Sequence, residues 1–167
     1  MRVIGVISDT HGLLRDEALA ALEGCDLILH AGDVGDLEII RRLAEIAPVR
    51  AVRGNTDDGE VAAALPESDV VDLTSPNGGV STEGRGPLAY LLHGHKQLDL
   101  DPVSAGFRVI IHGHTHEPAI LDREGVLYFN PGSAGPRRFD LPVSVGKLRV
   151  NGTRVDAEVI HLRPNGA

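Results

Sequence analysis

A chain of 167 residues, 42% apolar and 24% charged, is long enough for one soluble globular domain with a sizeable core. Its formal charge of -8 and isoelectric point near 5.4 exclude a nonspecific nucleic-acid surface and a basic membrane-binding face. The single cysteine, Cys25, excludes an intramolecular disulfide and a thiolate zinc cluster, and its place at a helix-to-strand junction reads as a buried structural thiol.

Arg2 to Ile7 is a β-branched run that predicts a buried parallel strand, ending in Ser8-Asp9-Thr10-His11-Gly12. Its apolar stretch is too short for a signal sequence or a membrane span, so a cytoplasmic protein is expected. Leu13 to Leu22 has helical spacing. Asp26 to Leu29 predicts a second strand, followed by His30-Ala31-Gly32-Asp33, and Leu37 to Ala47 a second helix stopped by Pro48. Val49 to Val52 is a third strand, ending in Arg53-Gly54-Asn55-Thr56-Asp57-Asp58. In an open α/β sheet, ligands bind outside the carboxyl ends of the strands, which is where Asp9, His11, Asp33 and Asn55 fall. Each alone reads equally as a helix cap or a turn residue.

From Glu60 the alternation loosens. Val61 to Leu65 gives one helical turn and Asp69 to Leu73 a strand; the Gly-, Ser- and Asn-rich segment from Ser75 to Pro87 reads as a mobile hairpin tip within a single domain, 1–167. Leu88 to Leu92 is a strand that ends in His93-Gly94-His95, and the Pro-broken stretch Asp99 to Gly106 is too short for a full crossover helix. Val109 to Ile111 then leads into three histidines at alternate positions, His112, His114 and His116. Imidazole is a common ligand for divalent transition metals, so three in five residues point to a metal site. After Pro118 the pattern is all-β: Ala119 to Leu121, Val126 to Asn130, Val143 to Val150 and Val155 to Leu162 predict antiparallel strands. Asn151-Gly152 is the strongest hairpin signal, and Arg163 to Ala167 a frayed tail.

Asp9, His11, Asp33, Asn55, His93, His114 and His116 thus come from five strand ends, and they can hold two divalent ions if one carboxylate bridges. The order D-x-H, G-D, G-N, H-G-H, G-H-x-H and then N-P-G-S resembles the calcineurin-like metallophosphoesterases, nearest the small prokaryotic YfcE-type phosphodiesterases. The resemblance implies an α/β fold, a two-sheet sandwich flanked by helices, with the metal site at the carboxyl ends of the strands. It implies Asp9, His11 and His116 on a first metal, Asn55, His93 and His114 on a second, and Asp33 between them. Two divalent cations would outweigh the two carboxylates, drawing a phosphate in despite the acidic surface. They would lower the pKa of bound water from about 15.7 towards 7, giving a hydroxide for in-line attack on phosphorus while Asn55 holds nonbridging oxygens. Hard oxygen and imidazole donors suit Mn²⁺, the expected ion, with Fe, Co²⁺, Zn²⁺ or Ni²⁺ as alternatives.

Many larger members of the family place a His after the motif Asn, where this chain has Thr56, as the YfcE-type branch resembled here also lacks it. His95 is the candidate replacement acid, ahead of Asp57 and Asp58, and aryl phosphodiesters are the expected substrates. Arg137, with Arg138, is a candidate for steadying a phosphate oxygen beside the Asn130-Pro131-Gly132-Ser133 turn. His30 and His112 read as supports behind the site, and His161 as structural. The rival reading is a catalytically weak or silent metal-binding scaffold on the same fold, resembling the retromer scaffold subunit and binding a protein partner. A cupin barrel conflicts with the alternating strands and helices of the first third. An amidohydrolase barrel needs a longer chain. The exposed edge of an antiparallel sheet leaves a homodimer open.

Overall fold

In a computed structural model that describes residues 1–163, two five-stranded sheets stack face to face. The first contains β1 (Arg2–Ile7), β2 (Leu27–His30), β3 (Val49–Ala51), β9 (Ser144–Asn151) and β10 (Arg154–His161), in the order β10-β9-β1-β2-β3. The second contains β4 (Ser68–Asp72), β5 (Leu88–Leu92), β6 (Phe107–Ile111), β7 (Ala119–Arg123) and β8 (Val126–Asn130), in the order β4-β5-β6-β8-β7. The helices are α1 (Asp16–Leu22), α2 (Leu37–Ala44), α3 (Gly59–Ala64) and the single turn α4 (Pro102–Ala105).

The apolar run of β1 is continuous because both faces of that strand are covered. Ile4 and Val6 join Leu27, Leu29, Ala89, Leu91, Val109, Ile111 and Phe129 in the core between the sheets. Ile7 points the other way, with Ile28 and Val145, against Leu22 of α1 and Ile39 and Leu43 of α2. Phe129, fully buried, is the largest side chain of the inter-sheet core.

Helix boundaries differ from the sequence expectation at both helices of the first sheet. The first begins at Asp16 because residues 11 and 12 turn left-handed, with φ of 46° and 83°. The second has Asp36 as its N-cap, accepting from the Glu38 amide at 2.9 Å, and its α-helical part ends at Ala44. Ile46 then reaches back three residues to Leu43 at 3.0 Å, a tightening ahead of Pro48, which has no N–H to donate.

The last third is not uniformly antiparallel. β8 runs parallel to β6 and antiparallel to β7, since the 112–118 loop lets β7 pass outside β8 before the chain returns. β9 and β10 then leave the second sheet and close the first by pairing β9 antiparallel to β1. The predicted Asn151-Gly152 turn joins them, with Asn151 opposite Arg154 and Gly152 at φ 63°. Of the expected frayed tail, residues 164–167 lie outside the described residues. The 73–87 stretch is the tip of the β4–β5 hairpin, and its two ends meet at Asp72, which accepts from Thr74 and Gly86.

Parallel pairing of β1, β2 and β3, and of β5 and β6, makes these strands end on the same side of their sheets. The loops that follow carry Asp9, Asp33, Asn55, His93 and His114, so five strand ends from two sheets converge.

Candidate metal centre

Five of the non-glycine residues with positive φ are Asp9 (56°), His11 (46°), Asp33 (53°), His114 (72°) and His116 (64°). Left-handed backbone costs a non-glycine residue on the order of 1–3 kcal/mol, and such strain tends to gather where function needs a side chain aimed. Here it turns five candidate ligands toward one place.

They fall into two groups. Asp9, His11 and His116 present donor atoms within 4.8 Å of one another, and so do Asp33, His93 and His114. In the first, Asp9 Oδ1 is 3.3 Å from His116 Nε2 and 3.7 Å from His11 Nε2. In the second, Asp33 Oδ2 is 3.1 Å from His93 Nε2. The same Asp33 oxygen is 3.7 Å from His11 Nε2, so it faces both groups. Asn55 stands beside the second group, its Oδ1 3.1 Å from His114 Nδ1.

Supporting contacts set which atom of each side chain is free. His93 Nδ1 donates to the Ala31 carbonyl at 2.8 Å, which leaves Nε2 turned to Asp33. Ser8 Oγ and the His114 amide donate to Asp9 Oδ2 at 2.6 and 3.0 Å, which leaves Oδ1 unused. Asp9 Oδ1 and His93 Nε2 are buried with no hydrogen-bond partner and lie 3.9 Å apart, and Nδ1 of His95 and of His116 is likewise without a partner. Buried polar atoms are normally satisfied, so two orphaned acceptors 3.9 Å apart fit a place for a cation. Carboxylate, carboxamide and imidazole donors without thiolate fit a hard or borderline divalent ion.

The electrostatics without metal point the same way. Burial opposes ionisation of Asp33, but His93 alongside and hydrogen bonds from Thr56 outweigh it and hold the carboxyl well below the usual range. Burial likewise disfavours a charged His93, and Asp33, Asp9 and the Ala31 carbonyl overcome it to raise its pKa. Each stabilises the charge of the other, as carboxylates do for a cation placed among them.

Two loops are held together by a residue read from sequence as a spare acid. Asp57 accepts from the Gly54 amide at 2.9 Å, from Val34 at 3.1 Å and from Gly35 at 2.9 Å. It therefore ties the loop after β3 to the loop after β2. The Thr56 amide, next to it, donates to Asp33 Oδ1 at 2.9 Å. Asn130 does the equivalent work on the other side: its Nδ2 donates to the Gly113 carbonyl at 3.1 Å and its Oδ1 accepts from Gly132 at 2.9 Å. Ser133 Oγ donates to the Asp9 carbonyl at 3.0 Å, so the N-P-G-S turn buttresses two ligand loops. Sequence reading missed this role and that of Ser8; the position of N-P-G-S directly after a strand was the available signal.

Other singled-out residues lie outside the two groups. His30 is fully buried, accepts from the Gly32 amide at Nδ1 and meets Thr10 Oγ1 at 3.0 Å through Nε2. Both nitrogens are engaged, and burial drives its pKa down to about 3. His112 belongs to neither group. His95 lies next to the second one, its ring 5.4 Å from that of His93 and 6.2 Å from that of His114. Burial, with His93, Lys96 and His114, lowers its pKa and favours the neutral ring. Arg137 is exposed; its neighbour Arg138 is the cation whose charge bears on His116. His161 is exposed on β10, and Cys25 is buried in the helix-covered core.

The profile of the calcineurin-like phosphoesterase superfamily domain matches residues 1–153. The chain belongs to this superfamily. It is a metal-dependent phosphoesterase of the hydrolase class, and the YfcE-type resemblance holds at the level of relatives. A protein of Methanothermobacter thermautotrophicus named "Probable metallophosphoesterase" is 35% identical over 170 residues, 95% of this chain and 91% of its own length. The phosphodiesterase YfcE of Escherichia coli is 32% identical over 163 residues, 84% of each chain. Among solved structures, a novel archaeal phosphodiesterase superposes with a TM-score of 0.72 at 24% identity, over 95% of this chain and 99% of that one. Vacuolar Protein Sorting 29 from Cryptosporidium parvum superposes with a TM-score of 0.75 at 22% identity, over 99% and 93%. These likenesses establish the calcineurin-like fold, which an enzyme and a sorting protein share.

Proposed function

We propose that this calcineurin-like chain is a phosphodiesterase that works with two divalent ions, one held by Asp9, His11 and His116 and the other by Asn55, His93 and His114, with Asp33 serving both. The observation that carries this reading is the single Asp33 oxygen 3.1 Å from His93 and 3.7 Å from His11. When bound, two such ions supply Lewis acidity and a water ionised near neutral pH, suited to in-line attack on phosphorus. Asn55 would donate its amide to a nonbridging oxygen as charge develops there. His95, neutral beside the second group, would donate a hydrogen bond to the departing alcohol oxygen. Arg137, or Arg138 next to it, would hold a phosphate oxygen from the other side.

Mn²⁺ is the ion we propose for activity, with Fe, Co²⁺, Zn²⁺ and Ni²⁺ as alternatives compatible with the donors. Residues 1–167 act as one domain in this reading, with 75–87 a mobile loop. No helix among the described residues is long and apolar enough to cross a membrane. A cytoplasmic setting, small phosphodiester substrates and a homodimer through an exposed sheet edge belong to the proposal.

The second reading, a weakly active or silent metal-binding scaffold for a protein partner, is favoured by the superposition on Vacuolar Protein Sorting 29. Metal content and hydrolysis of bis(p-nitrophenyl) phosphate and p-nitrophenyl phosphate, with and without Mn²⁺, separate the two. Two ions per chain and diester turnover abolished in Asp33→Ala establish the phosphodiesterase. Bound metal with no turnover of either ester establishes the scaffold reading in its place.

A further inference from the structure

Next to the second candidate metal group, a cleft of about 290 Å³ runs from His93 along the end of β5 and under the 94–99 loop. Its lining combines half-buried Tyr90, Leu92 and Leu98 with an exposed ion pair, in which Lys96 Nζ donates to Glu67 Oε1. Tyr90 is packed edge-on against Phe107, with ring centroids 5.1 Å apart, so it offers a fixed aromatic surface. The cleft lies outside both ligand groups, and His93 is the residue common to cleft and metal centre.

We propose that this cleft is the subsite for one ester group of the substrate, and that it takes an uncharged alcohol the size of a single ring system. This inference rests on the phosphoesterase reading of the neighbouring site. A cavity at the small end of the ligand-pocket range, in which Tyr90, Leu92 and Leu98 supply the apolar surface among mostly polar lining residues, suits one ring and not a dinucleotide. A second phosphate is disfavoured, because Lys96 is already neutralised by Glu67 and Asp99 adds a further carboxylate to the lining. A phosphate monoester of a small alcohol would leave Tyr90, Leu92 and Leu98 wet. A diester with one ring-bearing alcohol fills the cleft while its phosphorus stays beside His93.

Calorimetric titration of the Mn²⁺-loaded protein with methylphosphonate and benzylphosphonate tests this, since neither can be hydrolysed and they differ only by the ring. Benzylphosphonate is expected to bind ~10-fold more tightly, the effect of burying one phenyl group. Leu98→Trp fills the cleft from a half-buried position, and Gln97→Trp narrows it from an exposed one. Loss of the benzyl preference in either folded variant, with methylphosphonate affinity unchanged, supports the subsite. Equal binding of the two phosphonates to the wild type, or a preference that survives both variants, overturns the subsite and leaves the phosphoesterase reading standing. Failure of the loaded wild type to bind either phosphonate overturns both.

Discussion

His93 and Asp33 stand 3.1 Å apart, Nε2 to Oδ2, although one follows a strand of the second sheet and the other a strand of the first. With Nδ1 committed to the Ala31 carbonyl, His93 meets the carboxylate with the nitrogen that a metal would use. The contact therefore joins the two sheets at the site where a cation is most needed.

Metal binding is accordingly expected to stabilise the fold. At a hundredfold excess of ion over its Kd, linkage gives about 2.7 kcal/mol, which for a domain of this size raises Tm by roughly 5–10 °C. Differential scanning calorimetry of the protein before and after chelation, with Mn²⁺ returned, checks it. An unchanged Tm would mean that the orphaned atoms of Asp9 and His93 gain no ligand.

Gly54→Ala should damage the centre without replacing a ligand. A Cβ at this position would strike the Asp33 side chain and amide, so Asp33 must move or the loop must open. The expected cost is about 1–3 kcal/mol, with loss of the second ion while the secondary structure is kept. Metal stoichiometry and far-UV circular dichroism on the same preparation read both.

Asp57→Ala removes the acceptor shared by the Gly54, Val34 and Gly35 amides. Stability should fall by about 2 kcal/mol, and metal affinity by roughly 10–100-fold, because the loops bearing Asp33 and Asn55 lose their tie. If Asp57 instead served as a general acid, the variant would keep its metal affinity and lose only one limb of the pH–rate profile. Metal titration followed by that profile distinguishes the two roles.

Asp72 provides a pH test away from the metal centre. Burial opposes its ionisation, and the hydrogen bonds from Thr74, Gly86 and Ser75 outweigh it, so its pKa is lowered. A carboxyl depressed in the folded state stabilises the protein above its unfolded pKa, and that contribution is lost as pH falls through the folded value. Asp72→Asn should therefore reduce stability near neutrality and flatten the acid decline below about pH 4. Urea unfolding of both proteins across that range is the measurement.

Much of the chain could be read before it was seen folded. Short buried runs ending in Asp9, Asp33, Asn55, His93 and His114 announced parallel strands with chemistry at their carboxyl ends, because apolar period and turn residues act locally. Helix ends were less legible. The starts and stops at Asp16 and Ala44 answer to the left-handed turn at His11-Gly12 and to Pro48 acting through the preceding turn. The parallel pairing of β8 with β6 was not legible either, since strand direction is chosen by partners far along the chain.

By itself, the sequence determined the donor types, their order and the strand ends that carry them, which suffices for the family and for a metal-dependent chemistry. The resemblance already put Asp33 between the two groups, and His30 already read as a support behind the site. Only the tertiary structure gave one Asp33 oxygen its distances to His93 and His11, engaged both His30 nitrogens and made Asp57 a tie between loops. It alone formed the cleft beside His93 from β4, β5 and the 94–99 loop. The physical reason is distance along the chain: composition and period specify local conformation, whereas a shared oxygen, a three-amide acceptor and a cavity exist only once the two sheets have packed.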